Sequence, residues 1–355
     1  MPNHKRQHSS HSRSHSHTHT PQNSTTLNLH IPSLHDAIPI ETSLTVPTVL
    51  PSSRRIAIIA HPYGPLGGTC HDPVVQHICA VLVAHGFITS IFNFRGCGHS
   101  KGRTSWTGKA ETGDYAAVAA WTLDFAAELR NGAPDGVELV LAGYSYGALV
   151  AAQCPGCDEL VQAATSPPNE AFRKALTAGK RSARGWYRSH SEVGRTSYSG
   201  VRSPPLLPPQ RSSISESDLR PPLSALVAAP LEPQVDLAAL QIVTRYLLIS
   251  PPLPPISSCL LPSFGFAPAV ESVADPPTAA KRKGKGTKIL VAWGDDDVFT
   301  GVKKYRRWGE KMLVALGEGF ESVEVEGAGH FWGEGRLEVV ERKMEGWLAG
   351  GNGRA

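Results

Sequence analysis

The spacing of apolar residues marks the first strands of the chain. Residues 27–32 and 40–46 alternate apolar with polar positions, as the two strands of a hairpin do when one face is buried. Residues 55–60 and 137–142 are instead largely continuous apolar runs, and residues 87–94 are predicted to form another strand. Such runs are typical of parallel strands that are buried on both faces. The pattern therefore predicts a buried parallel sheet preceded by a hairpin.

The segments between these runs have helical spacing. Residues 74–85 and 115–129 carry apolar side chains on one helical face, and Gly113-Asp114 is expected to cap the second helix. The order βαβαβα predicts an α/β fold: a mostly parallel, doubly wound sheet with helices on both faces and an N-terminal antiparallel hairpin. Later elements fit the same scheme, with strands at 245–250, 288–293 and 322–326 and helices at 302–316 and 336–348.

Long parts of the 355-residue chain lack any such period. Residues 1–27 are rich in His and Ser, and residues 177–235 are rich in Ser, Arg and Pro. Segments of this composition bury too little apolar surface to fold, so both are expected to be disordered. The sequence predicts a single domain over 28–348, interrupted by that insertion, with little or no folded cap and a flexible end at 349–355.

Charge and cysteine content narrow the class of protein. The net charge of +4 is small for 355 residues and arises partly in the segments expected to be disordered, so nucleic acid is not an expected partner. No apolar run reaches 18 residues, and no secretory apolar region precedes the six cysteines. We therefore expect a cytoplasmic protein without a transmembrane segment, with the nucleus or mitochondrion as lesser alternatives.

A candidate catalytic motif follows the strand at 137–142. Residues 143–147 read Gly-Tyr-Ser-Tyr-Gly, and an apolar segment that could start a helix follows. Gly-x-Ser-x-Gly between a strand and a helix is the nucleophile elbow, in which a strained turn pushes the serine Oγ out above the sheet. The flanking glycines avoid steric clashes, and the helix N-terminus offers N–H groups to an oxyanion. Ser145 is therefore a candidate nucleophile.

A serine needs a base and an orienting acid, and hydrolases with this elbow supply them in the order Ser, acid, His. The strand at 288–293 is followed by Asp295, Asp296 and Asp297, and the strand at 322–326 is followed by His330. Catalytic sites of open α/β sheets lie at these carboxyl ends. The spacing predicts a Ser-Asp-His triad and leaves the three aspartates as candidates for its acid.

Further motifs carry a family resemblance. Residues 61–69 read HPYGPLGGT, residues 92–102 read FNFRGCGHSKG, and the segment around His330 reads Gly-x-Gly-His-Phe. With the elbow, these resemble the α/β-hydrolase superfamily, and within it a serine esterase and peptidase-S33-like group. Residues 104–107 and 248–255 are similar to segments of fungal members.

The resemblance implies roles for individual residues. Ser145 would be the nucleophile, His330 the general base and acid, and Asp297 the preferred acid because it fills the Gly-x-x-Asp position. The oxyanion hole would use the backbone N–H of Tyr146 and one from Tyr63 or Gly64. No cofactor and no metal is implied.

The substrate is less well defined. A small-molecule carboxylic ester or thioester is expected, and two alternatives stay open: an amide or peptide hydrolase of the same fold, and a non-catalytic binding protein. Tyr144, Trp106 and Phe331 are tentative pocket residues because they are aromatic and close in sequence to the motifs. They favour an apolar acyl or alcohol group. The sequence does not indicate the oligomeric state.

Overall fold

A computed structural model describes residues 24–105, 107–129, 136–196, 235–256, 287–333 and 335–349, and the side chains of the third range through Ser189. Residues 1–23 of the expected tail, 197–234 of the expected insertion, the end at 350–355 and the candidate Trp106 lie outside the described residues. None of the helices in the described ranges combines the length and apolar character needed to cross a membrane.

Eight strands form one sheet in the order β1-β2-β4-β3-β5-β6-β7-β8. Their bounds are β1 Ser24–Pro32, β2 Pro39–Pro47, β3 Arg54–Ala60, β4 Ile88–Phe92, β5 Gly136–Tyr144, β6 Gln241–Ile249, β7 Lys288–Asp296 and β8 Phe320–Gly329. The pairs β1–β2 and β2–β4 are antiparallel, and the remaining pairs are parallel. The predicted fold class is confirmed, and β1 begins inside the expected tail.

Seven helices cover the sheet in the described ranges. They are α1 Pro73–Ala84, α2 Lys109–Leu129, α3 Tyr146–Ala152, α4 Cys157–Thr165, α5 Glu170–Thr196, α6 Val302–Leu316 and α7 Leu337–Ala349. Two apolar cores separate the layers: α1 and α7 pack on one face, and α2 to α6 contribute to the core on the other. Along β3, Ile56 and Ile58 point into one core while Ala57 and Ile59 point into the other, as the two-residue period of a strand requires.

Helix α2 starts earlier than the sequence predicted. Gly113 and Asp114 lie inside it rather than at its cap, and the N–H of Thr112 already bonds to the carbonyl of Gly108 at 3.0 Å. Asp114 is fully buried and receives two hydrogen bonds from the Arg95 guanidinium. The capping signal was misleading because this aspartate pairs with a distant arginine instead of the helix N-terminus.

Helix α5 corrects the expected start of the disordered insertion, because 177–196 is helical. Its buried positions, Phe172, Leu176, Gly179 and Ala183, recur at helical spacing, but two of the four are small, so the period was overlooked beside an exposed face rich in Arg, Lys and Ser. The opposite face buries Phe172, Leu176 and Ala183, and Gly179 lies so close to Trp121 of α2 that an added Cβ would come within 2.8 Å of the indole. Tertiary packing against α2 therefore stabilises the buried face of this helix.

Candidate active site

Ser145 lies in the sharp turn between β5 and α3. Its backbone has φ 56° and ψ −119°, and residues other than glycine rarely adopt such a positive φ. The turn is held by a hydrogen bond from the Ser145 N–H to the carbonyl of Ile249 on β6, at 2.8 Å, and by one from Ala148 N–H to the Ser145 carbonyl, at 2.9 Å. The strained elbow predicted from the sequence is present.

The two glycines of the elbow are required by close backbone contacts. A Cβ on Gly143 would lie 2.2 Å from the carbonyl carbon of Gly147, and a Cβ on Gly147 would lie 2.4 Å from the carbonyl oxygen of Ala60 on β3. Neither neighbour is a flexible side chain, so neither could move aside. The turn can therefore form only with glycine at both positions.

His330 lies beside Ser145, directly after β8. Its Nε2 is 2.8 Å from Ser145 Oγ, and its Nδ1 is 2.8 Å from Asp297 Oδ2. Because an ionised carboxylate only accepts hydrogen bonds, Nδ1 carries the proton and donates it to Asp297. Nε2 is then free to accept from the serine hydroxyl. All three residues are nearly buried, with exposed fractions of 8%, 3% and 6% for Ser145, His330 and Asp297.

Of the three consecutive aspartates, only Asp297 contacts His330. Its Oδ1 accepts the N–H groups of Phe299 and Thr300, at 2.9 and 3.0 Å. Asp295 instead accepts the N–H of Gly327, at 2.7 Å, and Asp296 is exposed. The structure therefore brings Ser145, Asp297 and His330 together and directs the two neighbouring carboxylates elsewhere.

Opposing effects set the charge of Asp297. Burial by itself raises the pKa of this carboxyl, but the hydrogen bond and charge of His330 and the N–H groups of Thr300 and Phe299 outweigh it, so the pKa lies below its usual value. The acid is therefore ionised at neutral pH and fixes the histidine tautomer.

The candidate oxyanion donors lie on two adjoining segments. Tyr146 is the first residue of α3, and the first N–H groups of a helix have no acceptor within it. Its ring packs edge-on against Tyr63, with 5.1 Å between ring centroids. The Tyr63 carbonyl accepts the N–H groups of Leu66 and Gly68, at 3.1 and 3.2 Å, which tightens the loop that includes Gly64.

His61 supports this loop from beneath and was noted in the sequence only as part of a motif. It is fully buried, its Nε2 accepts the N–H of Phe94 at 2.9 Å, and its Nδ1 lies 2.5 Å from the carbonyl of Pro62. With Nε2 as acceptor, Nδ1 must be the protonated donor. Burial lowers the pKa of His61 to about 4, so the ring is neutral at pH 7.

The three residues that the sequence suggested for the pocket differ in their burial, and one of them is not described by the structure. Tyr144 is buried, and its hydroxyl donates to the His330 carbonyl at 2.7 Å. Phe331 is exposed next to His330, while Trp106 lies outside the described residues.

Tyr305 was missed in the sequence because it lies in the basic run 303–307, which indicates a solvated helix face. In the structure it is fully buried, and its hydroxyl contacts the Pro251 carbonyl at 3.1 Å and Asp297 Oδ2 at 3.4 Å. Among the described residues, no group of three or more His, Cys, Asp or Glu side chains is arranged to hold a metal ion.

The sheet order, the elbow and the strand-end residues define an α/β hydrolase fold. A model of the Alpha/beta hydrolase family matches residues 56–342, and the chain belongs to that family. In sequence, the chain is 31% identical over 98 residues to an uncharacterized protein of Rickettsia prowazekii. That match covers 28% of this chain and 38% of the relative, so the chain spans well under half the length of the relative.

Three solved structures share the fold at a TM-score of 0.50. A putative alpha/beta hydrolase of unknown function from Agrobacterium tumefaciens is 18% identical, with 92% of this chain and 95% of that chain covered. An alpha-beta serine hydrolase homologue from Coxiella burnetii is 19% identical, with 91% and 97% covered. A serine hydrolase without lid from Xanthomonas campestris is 18% identical, with 95% and 98% covered. At these identities the likeness shows the fold alone.

Proposed function

We propose that this protein is a serine hydrolase that cleaves a carboxylic ester or thioester through an acyl-enzyme. The observation that carries the proposal is the continuous hydrogen-bonded line from Ser145 Oγ through the His330 ring to Asp297. A nucleophile, a base and an orienting acid, each within hydrogen-bond reach of the next, are the parts that this chemistry requires.

In the acylation step, Ser145 Oγ attacks the substrate carbonyl carbon while His330 Nε2 takes the hydroxyl proton. Asp297 holds the ring in position and stabilises its positive charge without taking the proton. The tetrahedral intermediate then collapses, the bond from carbon to the leaving oxygen or sulfur breaks, and the proton on Nε2 passes to the leaving alcohol or thiol.

The negative oxygen of the tetrahedral intermediate is assigned to the N–H of Tyr146 and an N–H of Tyr63 or Gly64. Removal of one such donor costs about 2.7–4 kcal/mol of transition-state stabilisation in a related site. Water, activated by His330, then attacks the acyl carbon and releases the acid and the free serine. The partner is a small-molecule substrate, and we place the reaction in the cytoplasm. The Coxiella neighbour is named a serine hydrolase homologue and the Xanthomonas neighbour a serine hydrolase, and both names agree with this assignment.

The test is covalent labelling with a fluorophosphonate probe, which reacts with activated serines. The folded wild-type protein is expected to be labelled at Ser145, and Ser145→Ala to remove the label. Ser166→Ala is the matched control, because Ser166 is an exposed serine after α4 and labelling must persist without it. If the wild-type protein stays unlabelled, the alternative of a non-catalytic binding protein replaces the proposed function. Label that survives Ser145→Ala would place the nucleophile elsewhere.

The bond that is cleaved requires a second measurement. Esters, thioesters and amides that share one acyl group are compared by kcat/KM. We expect the ester and the thioester to be cleaved much faster than the amide. Amide cleavage at a comparable or higher kcat/KM would instead assign the protein as an amide or peptide hydrolase.

A further inference from the structure

Large apolar side chains stand exposed around the candidate site. Leu66, Val298 and Phe331 have exposed fractions of 77%, 74% and 75%. Each lies on a loop that carries a site element: Leu66 on the loop of Tyr63 and Gly64, Val298 next to Asp297, and Phe331 next to His330. Five other large apolar side chains are exposed elsewhere in the described residues, but these three share the edge of the sheet that carries the candidate site, where a group of exposed apolar side chains marks a binding surface.

Phe331 and the neighbouring residue Phe299 both contact the His330 ring. The Phe299 ring packs edge-on against His330, with 4.5 Å between centroids, and Phe331 lies 5.6 Å from His330 and 6.1 Å from Phe299. Phe299 itself is only partly exposed. One side of the catalytic ring is therefore walled by apolar surface that continues outward through Phe331.

The sheet order places the exposed residues on both sides of Ser145. The strand β5, which ends at the elbow, has β3 as one neighbour and β6, β7 and β8 in sequence on the other side. Leu66 follows β3, whereas Val298 and Phe331 follow β7 and β8. All these strands are parallel, so their carboxyl ends lie on the same edge. The serine therefore lies between apolar groups.

The three loop segments also lack charge. Residues 64–68, 298–300 and 331–333 read GPLGG, VFT and FWG, with no Asp, Glu, Lys or Arg among them. A charged substrate group would therefore find no opposite charge within these three segments. A hydrocarbon chain would gain by covering the three exposed side chains.

We infer that Leu66, Val298 and Phe331 form an apolar rim that binds the hydrocarbon chain of the substrate. The substrate class is then an ester or thioester with an extended apolar acyl group, rather than a short or charged one. This inference rests on the proposed function, since the rim matters only if Ser145 is acylated.

The test compares p-nitrophenyl esters from acetate to dodecanoate. In the wild type, kcat/KM is expected to rise about two- to fourfold per added methylene until the chain extends beyond the rim. The variants are Leu66→Ser and Val298→Ser, each alone and together. The readout is the ratio of kcat/KM for octanoate to that for acetate, because a general loss of catalysis cancels in the ratio. We expect the double variant to lower this ratio about tenfold or more.

Val314→Ser provides the matched control. Val314 is a still more exposed valine, 89% accessible against 74% for Val298, but it lies on α6 and on none of the loops that carry the site. Its substitution should leave the ratio unchanged. Labelling of Ser145 by a short-chain fluorophosphonate is measured in parallel.

The outcomes separate two kinds of failure. If Ser145 is labelled but the wild type shows no preference for longer chains, or the rim variants keep the wild-type ratio, the rim does not bind the chain and the inference is overturned while the hydrolase assignment stands. If Ser145 is not labelled and no ester is cleaved, the proposed function fails and the inference falls with it. Only a chain-length preference that the rim variants reduce and Val314→Ser does not reduce supports the proposal.

Discussion

His61 makes the fold sensitive to moderate acid. The ring is buried under the loop of Tyr63 and Gly64, and both of its nitrogens are used, one accepting from Phe94 N–H and one donating to the Pro62 carbonyl. A proton added to Nε2 would abolish the bond from Phe94 and leave a buried charge. Burial accordingly lowers the pKa of His61 from 6.5 to about 4.

The magnitude follows from linkage between proton binding and folding. Because the folded pKa of His61 lies below the unfolded one, the unfolded chain binds the proton first as the pH falls. The stabilisation is full above about pH 6.5, declines as the pH falls and is lost near pH 4. A difference of about 2.5 pKa units at 1.36 kcal/mol per unit gives a loss of about 3 kcal/mol in the free energy of unfolding.

The measurement is urea unfolding at pH 7, 6, 5 and 4, with His61→Gln as the reference. The glutamine does not titrate, and its side-chain oxygen can accept the Phe94 N–H. A reference is needed because another group titrates over part of the same range. Burial raises the pKa of Asp124 to about 6, so protonation of this carboxyl increases the free energy of unfolding as the pH falls below about 6. Glu41, whose pKa lies near 2 despite burial because of hydrogen bonds from His99 and Asn93, starts to lose its contribution below about pH 4.5 and loses the rest toward pH 2.

We expect the difference in unfolding free energy between wild type and His61→Gln to fall by about 3 kcal/mol between pH 7 and pH 4. The reasoning would be refuted by a difference that stays constant across this range. A difference that grows with acid would show that His61 is charged in the folded protein.

Three further substitutions test the sheet and the site. Glu138→Ala removes the carboxylate that joins two largely buried arginines on the neighbouring strands, at 3.1 and 2.9 Å, and should cost about 3–5 kcal/mol of stability in urea unfolding. Asp297→Asn should lower kcat about 10⁴-fold with the fold intact by circular dichroism, because the histidine loses its correct tautomer; an unchanged kcat would exclude Asp297 as the acid. Gly143→Ala should slow probe labelling of Ser145 by about 100-fold or more, since the elbow must shift. The control is Gly136→Ala at the start of the same strand, where an added Cβ meets no atom within 4 Å. In this variant the probe should label Ser145 at the wild-type rate.

Much of the fold was readable because strand signals are local. The continuous apolar runs around 55–60 and 137–142 predicted central strands, and the structure has them at Arg54–Ala60 and Gly136–Tyr144. Helix α5 has a clear period too, with buried Phe172, Leu176, Gly179 and Ala183 at helical spacing, but two of these four residues are small, so the segment does not stand out by its apolar content. Its stability depends on which few of its small and apolar residues face α2, and a closely packed Gly179 carries no signal in the sequence. Burial against a partner helix is a non-local property.

The candidate site shows the same limit at finer scale. The sequence predicted that Ser145, an aspartate and His330 would meet, because each follows a parallel strand. It could not choose among Asp295, Asp296 and Asp297 from the residues alone, because adjacent side chains point in alternate directions and the choice depends on where β7 ends. In the structure β7 continues through Asp296, and its register with β8 shifts between Gly294 and Asp296.

At this irregularity the two strands approach each other closely, and Gly294 permits the approach. A Cβ on Gly294 would lie 1.9 Å from the Ala328 carbonyl oxygen, so β7 and β8 approach more closely there than two side-chain-bearing residues allow. The shift is followed by Asp295 bonding to Gly327 N–H and by Asp297 turning toward His330. Which aspartate contacts His330 thus depends on the pairing of two strands that are more than 30 positions apart in the chain, and a local motif does not contain that pairing.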